Sequence, residues 1–167
     1  MHDVKALISA GEALLKAVND MASAVICPLP QGLSLLPITD ELTAELKAQT
    51  VCGISLPDMP LIAVFPELHA LALQISEMAP IAYISTEYFG GDGGQDAIAW
   101  SSRNSVFVPA SNGYNDEWPN SSISQALRAI GVVASAGKDE FDTIGLGNHR
   151  ETHRWAECEL AAAPRRP

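Results

Sequence analysis

Three side chains near the C-terminal end have the types and spacing of a metal site. His149, His153 and Glu157 fall four residues apart, so on a continuous helix all three project from one face as a two-histidine, one-carboxylate set. Arg150 and Arg154 flank the set, and its order is not the H-E-x-x-H arrangement that places a base beside two ligands. Its alternative reading is an exposed polar helix face. A second group, Asp139, Glu140 and Asp142, offers carboxylates on a loop, which would do acid and base work if burial raised one of them and are otherwise solvated. A third, Glu87, Asp92 and Asp96, surrounds a glycine-rich turn. Its spacing is not that of a helix-loop-helix calcium site, so it reads either as acids solvated at a loop tip or as part of an anionic contact surface.

Other chemistries find no local signature. The chain has no G-x-S-x-G and no cysteine in a protease context. Gly90, Gly91, Gly93 and Gly94 could cradle a phosphate, but such loops open directly into a helix, whereas Gln95-Asp96-Ala97-Ile98-Ala99-Trp100 alternates like a strand. The cluster reads as a hairpin turn that needs positive φ. The aromatics divide by context: Trp100 and Phe89 read as core, while Trp118 in Asn115-Asp116-Glu117-Trp118-Pro119 sits in a polar loop, where large aromatics serve as interface anchors.

The whole chain narrows the choice. At 167 residues with 47% hydrophobic and 18% charged content, it fits one folded domain, about residues 1–160, followed by a frayed tail over 161–167. The low charged content leaves room for a partner surface or a homo-oligomer interface. Twenty acidic against ten basic residues give a formal charge of −10, a field that repels nucleic acid and anionic membranes and that serves either solubility or attraction to a basic protein. Cys27, Cys52 and Cys158 are an odd set with no CxxC pair, which suits a reducing cytoplasm and buried apolar roles. Neither a secretion signal nor a membrane-length apolar run is expected.

The elements that must position these groups follow from periodicity. Val4, Leu7, Ile8, Gly11, Leu14, Leu15 and Val18 predict a helix over 3–20. Short strands are expected at 24–27 and 32–36 between prolines, then a helix capped by Thr39 with Asp40 and Glu41 complementing its dipole. Pro66 starts a further helix that Pro80 ends. Residues 81–89, 95–100 and 105–108 form a three-stranded antiparallel meander over about 81–108. Ser122 with Gln125 predicts a capping box for a short helix, and Asn148 with Glu151 predicts the cap of the last one. The fold class is α+β, an antiparallel sheet containing the meander packed against helices.

Two segments, Ala82-Tyr83-Ile84-Ser85-Thr86-Glu87-Tyr88-Phe89-Gly90-Gly91-Asp92-Gly93-Gly94-Gln95-Asp96-Ala97 and Asp139-Glu140-Phe141-Asp142-Thr143-Ile144-Gly145-Leu146-Gly147-Asn148-His149-Arg150, resemble uncharacterised small bacterial proteins, some of which look like immunity proteins of toxin–immunity systems. The resemblance implies an acidic cytosolic domain that neutralises a cognate toxin by binding it, with no cofactor and no catalytic residue. On this reading Glu87, Asp92, Asp96, Asp116, Glu117, Trp118, Asp139, Glu140 and Asp142 supply the interface. The competing expectation is a small metal-dependent enzyme or metal-binding protein using His149, His153 and Glu157.

Overall fold

A six-stranded antiparallel sheet forms the centre of the molecule, with strand order β2-β3-β1-β4-β5-β6. The computed structural model describes residues 2–49, 64–90, 92–109 and 119–162. Asp116, Glu117, Trp118, Cys52 and most of the expected tail lie outside the described residues. The α+β class is as expected.

The expected helix over 3–20 is instead two elements, strand β1 (His2–Ala10) and helix α1 (Gly11–Val18). The cause is burial on both faces. Val4, Ala6 and Ile8 join one apolar cluster and Leu7 joins the other. A strand covered on both sides loses the polar alternation that marks a half-exposed one, and its apolar residues then fall by chance at helical intervals.

Strands β2 (Cys27–Pro28) and β3 (Leu33–Pro37) follow. Helix α2 (Asp40–Lys47) is capped by Thr39, whose hydroxyl accepts from the Leu42 N–H at 3.2 Å. Helix α3 (Pro66–Ser76) begins on its proline. Leu14, Leu42, Leu46, Leu68, Leu71 and Ile75 from these three helices pack on Leu7, Leu36, Tyr83, Ile98 and Trp100 of the sheet. Each such side chain removed from water contributes about 1.5–3 kcal/mol, offset by the entropy of ordering it.

The meander is β4 (Ile81–Phe89), β5 (Asp92–Ser101) and β6 (Asn104–Phe107). Its glycines do two different jobs. Phe89 faces Asp92 in register, so only two residues form the turn, and Gly90 carries the positive φ of 62°. Gly93 already lies in β5, where a Cβ would stand 2.1 Å from the Glu87 carbonyl oxygen. The second turn places Ser102 and Arg103 at φ 49° and 64°, an uncommon conformation for side-chain-bearing residues. It is fastened to α3: the Ser102 N–H donates to the Ser76 carbonyl at 2.8 Å and the Arg103 N–H to the Ser76 hydroxyl at 2.9 Å.

The other face is covered by helix α4 (Ser122–Ala129), the short helix α5 (Glu140–Thr143), a 3₁₀ turn at Leu146–Asn148 and helix α6 (Thr152–Ala162). Here the sheet offers small residues, Ala6, Ala82, Ala97 and Ala99, to Ile123, Ala126 and Leu127, which lets α4 approach closely. The cap of α4 is Ser121, one residue before the expected Ser122, and it accepts from the Ser124 N–H at 3.3 Å. The last helix starts at Thr152, not at an Asn148 cap. Residues before it are spent on β1, where the Asp3 N–H donates to the Arg150 carbonyl at 2.7 Å. Both sheet edges are blunted: β2 is two residues long and contains Pro28, and the β5–β6 pair carries a register shift at Ala99 and Trp100, features that disfavour strand addition.

Gly93→Ala should lower stability by about 1–3 kcal/mol, because the new methyl forces the paired backbones apart. Gly90→Ala should cost about 1–2 kcal/mol through left-handed strain alone. Urea denaturation should show both losses, with the β4–β5 amide signals displaced in spectra of the Gly93 variant only.

Candidate functional site

Strand β1 changes neighbours part-way along its length. Pairing with β3 runs from Ala10 opposite Leu33 to Ala6 opposite Pro37. The chain then turns away: the Ile38 N–H donates to the Lys5 carbonyl at 2.8 Å and Thr39 opens α2. The vacated edge is taken by residues from far along the chain. Besides the bond to Arg150, the Lys5 N–H donates to the Thr152 hydroxyl at 2.9 Å, and that hydroxyl donates to the Asp3 carbonyl at 3.1 Å.

Between the start of α2 and the start of α6 lies a cleft of about 410 Å³ lined by Asp3, Lys5, Asp40, Glu41, Glu151 and His153, among others. His153 Nε2 is 3.2 Å from a Glu151 carboxylate oxygen. The sheet register extends this polar patch across the same face, because directly opposed residues share a face. Asp3 is opposite Glu87, Lys5 opposite Ser85, and Ser85 opposite Asp96. Four carboxylates, Asp3, Asp40, Glu41 and Glu151, thus line the cleft with Lys5 and His153, and Glu87 and Asp96 extend the acidic face onto β4 and β5. Like charges directly opposed, as Asp3 and Glu87 are, destabilise a sheet.

The environment shifts two neighbouring groups. Burial pushes the Tyr83 phenol up to about 12, with Asp96 and Asp3 adding to the rise and a Ser85 hydrogen bond opposing it. Burial also raises the Asp96 carboxyl, and its Oδ1 finds no hydrogen-bond partner among the described residues. The opposite face closes differently at this end. His2 Nδ1 lies 2.7 Å from the Thr86 hydroxyl and its ring packs near Phe141. Burial, then the Arg150 and N-terminal charges, lower the His2 imidazole against the opposing pull of Asp3.

The metal set expected at the C-terminal end is not assembled. His149 precedes α6 and sets its ring edge-on to Trp155, centroids 4.8 Å apart; His153 turns to Glu151; Glu157 pairs with Arg154 at 2.8 Å. Four-residue spacing places groups on one face only where the helix is continuous, and here it begins at Thr152. No group of three or more metal-ligating side chains occurs among the described residues.

The expected interface residues do not form one surface. Glu87 is exposed and Asp96 partly so on the acidic face, and Asp92 faces Phe89 at the hairpin end. Asp139, Glu140 and Asp142 belong to α5, on the side of the sheet packed by Phe141 and α4. Asp139 is the cap of that helix, accepting from the Asp142 N–H at 2.7 Å, and Asp142 is exposed. Glu140 is only 2% exposed and lies 3.6 Å from the Arg128 guanidinium, a structural position that removes it from any outward contact surface. Phe89, read as core, is 76% exposed at the hairpin tip, whereas Trp100 is buried. Asp3, Asp40, Glu41 and Glu151 were not singled out for this site; their convergence depends on β1 being a strand, which its periodicity concealed.

No protein-family model, curated protein or solved structure matches the chain.

Two outcomes follow. Asp96→Asn should stabilise the fold at pH 7 by about 1 kcal/mol by removing a poorly solvated charge. Because the folded carboxyl is raised, its favourable neutral state is present below about pH 3.8 and lost as pH rises through its folded value, so the advantage of the variant should shrink on acidification. Thermal melts of both proteins between pH 3.5 and 7 measure this. Zinc calorimetry should give the same heat for the parent chain and His153→Ala, since His149, His153 and Glu157 do not converge.

Proposed function

We propose that this chain is a non-enzymatic binding protein that presents the acidic end of its sheet to a basic protein partner. The observation that carries the reading is the concentration of Asp3, Asp40, Glu41, Glu87, Asp96 and Glu151 around a single cleft and the strand ends beside it. The formal charge of −10 strengthens the same field and speeds encounter with a cation-rich surface. Phe89, exposed at the end of β4 two residues from Glu87, supplies an aromatic anchor at the margin of this patch.

The finer reading is an immunity protein that neutralises a cognate bacterial toxin by direct contact in the cytoplasm. Its support is the resemblance carried by residues 82–97 and 139–150, together with acidic charge and domain size. No helix among the described residues is long and apolar enough to cross a membrane. The competing metal-enzyme reading loses its main support with the dispersal of His149, His153 and Glu157 onto separate partners.

Co-expression with the product of the adjacent reading frame, followed by pulldown and a toxicity assay, tests the finer reading. For a captured basic partner, the association rate should fall steeply as salt is raised, because exposed charges are screened over about 8 Å at physiological ionic strength. Asp40→Asn and Glu151→Gln should each weaken binding about two- to fivefold, consistent with roughly 0.2–1 kcal/mol for an exposed ion pair. Association indifferent both to salt and to these substitutions would rule out the acidic end as the contact.

A further inference from the structure

We propose that His69 makes the attachment of α3 to the sheet acid-sensitive, so that a proton on its imidazole loosens the N-terminal half of that helix. His69 is 6% exposed, on the face of α3 that meets the sheet. Its ring lies against Trp100, centroids 5.6 Å apart and tilted by 43°. Its Nδ1 finds no hydrogen-bond partner among the described residues. A neutral imidazole can place its lone pair at that nitrogen, whereas the protonated ring carries N–H groups at both nitrogens. Protonation therefore places at Nδ1 a buried donor with no acceptor among the described residues.

The surrounding charges deepen the cost. From the β5–β6 turn, Arg103 acts on the ring, and it holds the imidazole below its ordinary value after burial, the larger cause. Glu77 at the end of α3 is engaged by that same Arg103. From α2, Lys47 lies 5.1 Å from the Phe65 ring centre, adding a second cation near the helix start. On α1, Glu12 and Lys16 pair with each other at 3.1 Å in solvent. On α3 itself, Glu67 is two residues away, a spacing that points to a different side of the helix. From the sheet, β4 brings the Tyr83 phenol, whose raised value keeps it neutral. Asp96 is four residues along β5 from Trp100, roughly 13 Å at strand rise. No carboxylate forms an ion pair with His69 among the described residues.

The C-terminal end of α3 is held independently by the Ser76 bonds to Ser102 and Arg103, so acid acts on the end where no such bond to the sheet occurs among the described residues. A histidine whose folded value is lowered contributes its full stability above the unfolded value near 6.5 and loses it as pH falls from there. One proton can raise the opening equilibrium by up to about eightfold between pH 7 and 5.5.

Hydrogen exchange on the full chain at pH 7 and 5.5, converted to protection factors, tests this in the parent, His69→Phe, His69→Gln and His2→Gln. His2 is included because its imidazole is also lowered. The expected result is an acid-dependent loss of protection, up to about eightfold, at residues 68–72 relative to β1 and β4. That loss should persist in His2→Gln and vanish in whichever His69 variants fold, with the glutamine serving where the phenylalanine does not. No loss in the parent, the same loss in a His69 variant, or an equal loss across β1 and β4 would overturn the proposal.

Discussion

The architecture depends on β1 being satisfied on both edges and buried on both faces at once. Its backbone bonds to β3 and to β4 over most of its length, and its side chains alternate between the two apolar clusters. Such a strand tolerates no slip, because a shift of one residue would send Val4, Ala6 and Ile8 to the face built for Leu7. The two faces are not interchangeable. One is lined with large groups, Tyr83, Ile98 and Trp100, and receives three helices; the other is lined with alanines and receives α4 at close range.

The same strand explains why distant carboxylates meet. Where β3 departs after Pro37, the remaining edge of β1 carries polar backbone groups that burial would leave unsatisfied. Residues 150–152 satisfy them, which brings Glu151 and His153 beside the first turn of α2. Asp40 and Glu41 are there for a separate reason, as acids favoured at a helix N-terminus. Asp3 and Glu87 are placed by strand pairing. The acidic end is thus assembled from strand pairing, edge completion and helix polarity, which lie far apart in sequence.

This division also marks what the sequence could disclose. Elements with local punctuation were legible: the meander with its tight turns, the Thr39 cap, the proline start of α3, and the short strands near Cys27 and Leu35. The identity of β1 was not, because two-sided burial erases alternation and only the tertiary structure supplies the second face. With β1 read as a helix, no register could connect Asp3 to Glu87 or Lys5 to Ser85 and Asp96. The C-terminal histidines failed for the converse reason. Their four-residue spacing was real, but His149 lies before the helix, in a stretch whose neighbour Arg150 is tied to β1. Glu140 shows that charge alone says little about exposure, since the fold draws this carboxylate in toward Arg128.

The acidic end differs from an ordinary solvated surface in how closely its charges are set. Carboxylates scattered for solubility reduce their repulsion by standing apart, as exposed groups on separate loops do. Here Asp3 directly opposes Glu87, and Asp96 keeps an oxygen buried without a partner among the described residues. Lys5 and His153 offset only part of this, because His153 carries charge only when protonated. The opposite face of the same strand ends closes with His2, Thr86 and Phe141, so a carboxylate-poor arrangement is available to this fold at this position. Departures from local consistency concentrate where a protein meets something else. A cationic surface seated on the patch would relieve the Asp3–Glu87 repulsion, turning an unfavourable feature of the isolated chain into affinity for a basic partner.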